Sequence, residues 1–323
     1  MKYNERREIL VGVMHLFFEW TGRVDENAKG KRLHQIIRNV NDTNLKEVTS
    51  RHFGLVGFES DEGVRRNQGR IGASKAPNEI RRFLANIAYH FDEKNVIDIG
   101  NVTCIENDLE GAQKRLGEKV ANLINHHYTP IILGGGHETF YGHYLGVRKA
   151  LGDDTKIGMI NLDAHFDLRI DDTPSSGTMF RQILENDKNA EYLCVGIQEL
   201  GNTEQLFLTA NDLKADYILE TDIFPLESTI AKIDTFAKEQ DVVIYTVCTD
   251  VIDQTTAPGV SAPTPFGLEP KVVRAITEHV VTQENFLSID VSEVNPNYDV
   301  ENKTVRFVSY LIAEALTHIN KKR

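Results

Sequence analysis

Three short stretches of this sequence place groups that bind metal ions directly after apolar runs. The first is Leu133-Gly134-Gly135-Gly136-His137-Glu138, in which three glycines free the backbone to turn sharply and deliver His137. A phosphate-binding loop is also glycine-rich, but its Gly-Lys-Ser/Thr ending is absent here and His and Glu follow instead. The second is Asn161-Leu162-Asp163-Ala164-His165-Phe166-Asp167. Spacing by two predicts Asp163, His165 and Asp167 on one side of an extended chain, with Ala164 and Phe166 on the other. The third is Tyr245-Thr246-Val247-Cys248-Thr249-Asp250. A carboxylate buried after such a run is costly without a partner, and a cation would satisfy it. Taken singly, each group has a plainer reading: a solvated charge at a strand end or, for Cys248, an inert buried thiol. Together they make a set of six, His137, Asp163, His165, Asp167, Cys248 and Asp250, in which three carboxylates plus one thiolate give −4, the charge that two divalent cations balance. Paired metals ~3.5–4 Å apart turn a bridging water into hydroxide near neutral pH and clamp the transition state, so the chemistry indicated is hydrolysis.

The elements that must position these groups are legible as alternating patterns. From about His52 onward, short β-branched runs alternate with longer helical stretches, which predicts a parallel sheet covered by helices on both faces. The expected strands are Phe53–Phe58, Val96–Ile99, Pro130–Leu133, Ile157–Leu162, Tyr192–Ile197, Tyr217–Leu219, Val242–Val247 and Phe286–Val291. Helices are expected at Glu110–Asn125, Phe180–Leu184, Lys271–Val281 and Thr304–Ile319. All three polar clusters then fall at carboxyl ends of strands, where open α/β sheets form their crevices. Residues 1–50 are polar, lack a clear strand and read as helices and loops packed on the main body. With no repeat or long Gly/Ser linker, residues 1–323 read as a single domain, with 1–50 an N-terminal extension.

Composition excludes several classes. The chain has 323 residues, 48 acidic against 36 basic side chains, a net charge of −12 and 41% hydrophobic residues. That apolar share over this length builds a large core rather than a disordered chain. The acidic balance argues against nucleic-acid binding, which needs clustered Lys and Arg. Three separated cysteines, Cys104, Cys194 and Cys248, cannot make a disulfide framework and indicate a reducing, cytoplasmic compartment. Arg6 and Arg7 precede the apolar stretch Ile9–Phe18, but His15 interrupts it and Glu19 and Trp20 follow without a cleavage pattern, so an amphipathic element is expected rather than a signal peptide. The stretch is also short of the ~20 residues that span a membrane, and no membrane partner is expected.

The sequence resembles the ureohydrolase family, which includes arginase, agmatinase and formimidoylglutamase, from about Gly54 to its end. The likeness rests on Gly-Gly-Gly-His-Glu at 134–138, Asp-Ala-His-Phe-Asp at 163–167, Ala-Pro-Gly at 257–259, and Glu293-Val294-Asn295-Pro296 with Asp299 following. It implies a three-layer α/β/α fold with a mainly parallel central sheet, assembly into homo-oligomers, and two manganese ions on the six residues named above. It also implies that Glu293 engages the amidinium or guanidinium of a small-molecule substrate, as a charge-assisted partner would. Trp20-Thr21-Gly22-Arg23, Gly69-Arg70-Ile71-Gly72-Ala73, Ser175-Ser176-Gly177-Thr178 and Ala257-Pro258-Gly259-Val260-Ser261-Ala262-Pro263 are most similar to the formimidoylglutamase branch. That branch implies hydrolysis of N-formimidoyl-L-glutamate to L-glutamate and formamide in histidine degradation, with Asp167 orienting the attacking hydroxide and Glu293 holding the amidinium. The substrate's carboxylates call for cations. Arg70 is the one assigned to them here, and Arg23, Arg65, Arg66, Arg169 and Arg181 have the same chemistry.

Two positions depart from the wider family. Cys248 stands where arginase and agmatinase carry a metal-bridging Asp, and a softer thiolate favours metals such as zinc or iron more than an all-oxygen and imidazole set would. Ser176 stands where relatives often have a histidine before Gly-Thr, which removes a proton shuttle. The shared metal motifs keep one alternative open, an agmatinase-like or guanidino-acid ureohydrolase releasing urea, and these departures keep open another, a catalytically silent metal-binding relative.

Overall fold

All eight expected strands form, in a computed structural model that describes residues 17–26, 31–90 and 95–321. The central sheet is built, in chain order, from β1 (Arg38–Asn39), β2 (His52–Glu59), β3 (Val96–Thr103), β4 (Tyr128–Leu133), β5 (Ile157–Leu162), β6 (Ala190–Ile197), β7 (Asp216–Leu219), β8 (Val242–Cys248) and β9 (Phe286–Ser292). Their order across the sheet is β1-β3-β2-β4-β9-β8-β5-β6-β7, and every neighbouring pair is parallel. The helices are α1 (Glu62–Arg66), α2 (Ala76–Leu84), α3 (Leu109–Asn125), α4 (Thr139–Leu151), α5 (Met179–Asn186), α6 (Glu204–Asp212), α7 (Leu226–Lys238), α8 (Pro270–Val281) and α9 (Lys303–Lys321).

Residues 17–50 differ from expectation. Their described part holds no α-helix but two short strands, β1 on the sheet's edge and Lys31–Arg32, which pairs antiparallel with Ala88–Tyr89. Strands of two residues leave no periodicity to read, because the partner strand rather than the local sequence defines them. Most of the Ile9–Phe18 stretch lies outside the described residues. No described helix is long and apolar enough to cross a membrane.

Alternation along each strand gives the sheet two apolar faces. Leu55, Ile131, Leu133, Ile160, Leu162, Tyr245, Val247, Ile289 and Val291 share one face with residues of α2, α7, α8 and α9. Val56, Phe58, Ile132, Ile157, Met159 and Ile244 share the other with residues of α3, α4 and α5. The result is the expected three-layer α/β/α arrangement. Strand β9 breaks the symmetry: Ile289 and Val291 fill the first face, while Ser288, Asp290 and Ser292 put polar groups, fully buried, on the second.

One charged contact ties α2 to β3. Arg81 and Asp98 are both 0% exposed and paired side-on, Nε to Oδ2 at 2.8 Å and Nη2 to Oδ1 at 2.9 Å. Trp20 Nε1 donates to the same carboxylate at 3.0 Å, which pins the described N-terminal segment to the sheet. Removing one partner of such a pair strands the other charge, at a cost of about 3–5 kcal/mol. Arg81→Met is therefore expected to lower the unfolding free energy by about that amount, read as a shift of the urea midpoint. An unshifted midpoint would show that Trp20 and the Gly100 amide satisfy Asp98 without the arginine.

Candidate metal centre

The four central strands β4, β9, β8 and β5 run the same way, so their carboxyl ends open onto one crevice, and the chain leaving each carries donor groups. After β4, the glycine loop is wedged between neighbours. Gly134 N donates to Val291 O at 2.8 Å, Gly136 N to Ser60 O at 2.9 Å, and Gly135 O accepts from Glu293 N at 2.8 Å. A Cβ on Gly135 would lie 1.9 Å from Ser60 O, so glycine is required for close approach. The left-handed freedom implied by a sharp turn is not used, since none of the three has a positive φ.

After β5, the second cluster converges by a different route from the expected extended strand. The strand stops at Leu162 and the chain bends at Ala164–His165. Asp167 adopts φ +51° and Glu293, after β9, φ +69°. Left-handed backbone is strained for side chains of this kind and is held only by its surroundings. Here Asn202 holds the bend, accepting from Phe166 N at 3.1 Å and donating to Ala164 O at 2.9 Å. Ala164 and Phe166 are buried away from the crevice, as the spacing predicts.

The six expected ligands meet. Donor atoms of His137, Asp163 and Cys248 lie within 4.8 Å of one another, as do those of Asp163, His165 and Asp250, so Asp163 belongs to both groups. Asp167 Oδ2 joins the first at 2.9 Å from His137 Nδ1, which is also 3.0 Å from Asp163 Oδ2. His165 Nδ1 lies 3.1 Å from Asp250 Oδ2. Glu293 Oε1 accepts from His137 N at 2.9 Å, whereas Glu293 Oε2 and Asp250 Oδ1 are buried with no hydrogen-bond partner.

This crowding sets the protonation states. Burial alone would raise Asp163, but the hydrogen bonds and charges of His137 and His165 hold it well below the usual carboxylate range. Burial, and then the Asp163 charge, push Asp167 up to about 6. Burial opposes a proton on His137, yet Asp163 and Asp167 outweigh it and hold the imidazole well above its ordinary value. Asp250 and Asp163 do the same to His165 against its burial. Cys248 is raised by burial and then by Asp163, Asp250, Glu293 and Asp167. Burial, Glu138 and Asp250 raise Glu293. Two carboxylate oxygens of the cluster, Glu293 Oε2 and Asp250 Oδ1, remain without any donor. The donor set of imidazole, carboxylate and thiol therefore fits divalent cations.

A cavity of about 320 Å³ opens over the cluster, lined among others by Asn67, Arg70, Arg169, Ser176, Asn202 and Glu293. Arg70 lines it, but its Nε donates to Ser261 O at 2.8 Å, its Nη2 to Val260 O, and its guanidinium stacks 4.4 Å over the Tyr298 ring. Arg23, Arg65, Arg66 and Arg181 are paired with acidic neighbours. Arg169 lines the cavity and makes no side-chain hydrogen bond or ion pair among the described residues. Ser176 Oγ accepts from Asn67 Nδ2 at 3.2 Å. Sequence reasoning did not single out Asn67, Asn202 or Thr246, the last of which faces His137 Nε2 at 3.0 Å. Neutral polar side chains scattered along the chain carry no spacing signal.

Residues 51–318 match the model of the arginase family. A formimidoylglutamase of Geobacillus sp. (strain WCH70) is 47% identical over 311 residues, covering 94% of this chain and 96% of its own. One from Lysinibacillus sphaericus (strain C3-41) is 43% identical over 308 residues, covering 93% and 96%. The crystal structure of formimidoylglutamase from Bacillus subtilis superposes with a TM-score of 0.81 at 23% identity, covering 93% and 94%. That of Trypanosoma cruzi formiminoglutamase with Mn2+ superposes at 0.76 and 23% identity, covering 88% and 99%.

Because the imidazoles are held above their ordinary range, a cation entering at pH 7 must displace their protons, and a raised Cys248 thiol must also ionise to bind. Manganese titration in weak buffer is expected to release protons, with affinity falling as pH is lowered. Cys248→Asp is expected to keep the fold, bind manganese at least as well and release fewer protons. Equal proton release and affinity in the variant would place this thiol outside the coordination set.

Proposed function

The chain belongs to the arginase family, and from that premise we propose that it hydrolyses N-formimidoyl-L-glutamate to L-glutamate and formamide, a step of histidine degradation. The observation that carries the reading is the charge pattern of the cavity. Its buried end holds a carboxylate oxygen of Glu293 with no partner, and its exposed wall holds an arginine, Arg169, with none either. A substrate with an amidinium at one end and carboxylates at the other matches both. The near full-length identity to formimidoylglutamases supports the same assignment.

His137, Asp163 and Cys248, with Asp167, are the residues that hold one manganese ion in this reading, and Asp163, His165 and Asp250 the second. When bound, such a pair supplies Lewis acidity and a nucleophile drawn from water near neutral pH. Glu293 Oε2 takes the amidinium in a charge-assisted hydrogen bond, and the cation keeps this buried acid ionised. Asp167, strained at φ +51°, aims its carboxylate into the cavity to orient the attacking water. As the new C–O bond forms and the C–N bond to glutamate breaks, both protons of the water pass to the leaving nitrogen, the first by way of Asp167, so that formamide departs neutral and glutamate as its ammonium form. Ser176 lines that wall and holds its hydrogen bond with Asn67 instead of supplying an ionisable shuttle. Arg70 fixes the Val260-Ser261 backbone, and Arg169 takes a substrate carboxylate.

One assay panel separates the readings. Manganese-loaded protein is expected to release formamide from formimidoylglutamate and no urea from arginine, agmatine or guanidino acids. Urea release would assign it to the ureohydrolases proper, and two bound metals without any turnover would make it a silent relative. Arg169→Gln is expected to raise KM on the order of 10- to 100-fold, from ~1.5–3 kcal/mol for a hydrogen bond to a charged group, with a smaller change in kcat. An unchanged KM would return the carboxylate to Arg70.

A further inference from the structure

Beneath the donor cluster runs a line of buried polar side chains with no part in the reaction as described. His137 Nε2 lies 3.0 Å from Thr246 Oγ1, and Thr246 Oγ1 donates to Asp290 Oδ1 at 2.7 Å. Asp290 Oδ2 faces His143 Nδ1 at 2.8 Å, and His143 Nε2 faces Ser288 Oγ at 2.6 Å. Ser292 Oγ also donates to Asp290 Oδ1, at 3.0 Å. Thr246 comes from β8, the two serines and Asp290 from β9, and His143 from α4; all five are 0% exposed. Ser288, His143 and Asp290 have the contacts of a nucleophilic triad, but with no exposure Ser288 meets no substrate.

The direction of the hydrogen bonds gives the line a function. A threonine hydroxyl has one proton. Given to the Asp290 carboxylate, it is not available to His137, so Thr246 must accept from His137 Nε2–H. That leaves Nδ1, the nitrogen beside Asp163 and Asp167, as the atom that can ligate. Asp290 serves as an acceptor because donors surround it, and His143 Nδ1–H is the single N–H donor among its side-chain partners in the described residues. We propose that His143 is a positioning residue of the metal centre, acting through Asp290 and Thr246 to fix which nitrogen of His137 faces the ligands. The proposal rests on the reading of His137 as a ligand. Groups that orient ligating histidines in this way are worth about 10- to 100-fold in metal affinity.

The test compares wild type with His143→Asn, whose amide nitrogen stands where Nδ1 does, His143→Leu, and Thr246→Val. Manganese and zinc affinities are measured by chelator competition, and the ring N–H of His137 is followed by NMR in zinc-loaded, 15N-histidine-labelled protein. His143→Leu and Thr246→Val are each expected to weaken both metals by about 10- to 100-fold and to lose the Nε2–H signal, while His143→Asn retains both. Adding His143→Leu to Thr246→Val is expected to weaken binding no further, as for groups acting in series. Wild-type affinity and ring signal in His143→Leu, or additive losses in the double variant, would overturn the proposal. If His143→Leu does not fold, His143→Gln replaces it, since its amide reaches toward Ser288 rather than Asp290, and equal affinities for the Asn and Gln variants would then overturn it. Wild-type protein that binds neither metal would instead overturn the functional reading, and the His137 ring signal in unloaded protein would still decide the role of His143.

Discussion

Asp163 is a carboxylate with no access to water, placed between two imidazoles at the end of a central strand. An isolated charge there would neutralise itself or destabilise the fold. Everything nearby answers to that constraint. The glycine loop after β4 brings His137 to one carboxylate oxygen. The bend at Ala164–His165 lets the His165 amide reach the other, at 2.8 Å. Asp167, Asp250 and Cys248 then add further negative or ionisable groups where positive charge is already scarce. The arrangement leaves Asp250 Oδ1 and Glu293 Oε2 buried without a donor, the condition that a divalent cation relieves.

Much of this was legible because donor types are rare at the ends of buried runs. His137, Asp163, His165, Asp167, Cys248 and Asp250 stood out against Val, Ile and Leu, and the eight longer strands announced themselves by composition. The route by which they converge was hidden. The left-handed backbone of Asp167 and Glu293 has no glycine or asparagine to mark it, since it is imposed by contacts distant in sequence such as Asn202 and the Gly135 carbonyl. The choice of Arg70 among the arginines had no support in the sequence for a similar reason. Arg70 and Arg169 have the same chemistry, and only the Val260 and Ser261 carbonyls and the Tyr298 ring distinguish them. His143, within α4, and Asp290, within β9, carry no spacing signal that would pair them. Their partnership spans 147 positions and needs the register of β8 on β9, which pairs Thr246 with Asp290.

The sheet's two faces divide the labour. One is apolar throughout its central strands and accounts for cohesion. The other gives part of its central area to Thr246, Ser288, Asp290 and Ser292, where apolar residues would pack more simply. A polar line fully satisfied in hydrogen bonds costs little net free energy but fixes geometry closely. This is the property that a site built on strained backbone requires.

The strand order also dictates when the site can exist. Strands β8 and β9 are last in the chain yet sit in the middle of the sheet, between β4 and β5. A nascent chain that has emerged only as far as residue 241 therefore has two half-sheets with facing, unpaired edges and neither Cys248, Asp250 nor Glu293. In the folded sheet residues 242–292 join the halves and supply Cys248 and Asp250. A product shortened before residue 242 would have an open sheet in place of the donor cluster.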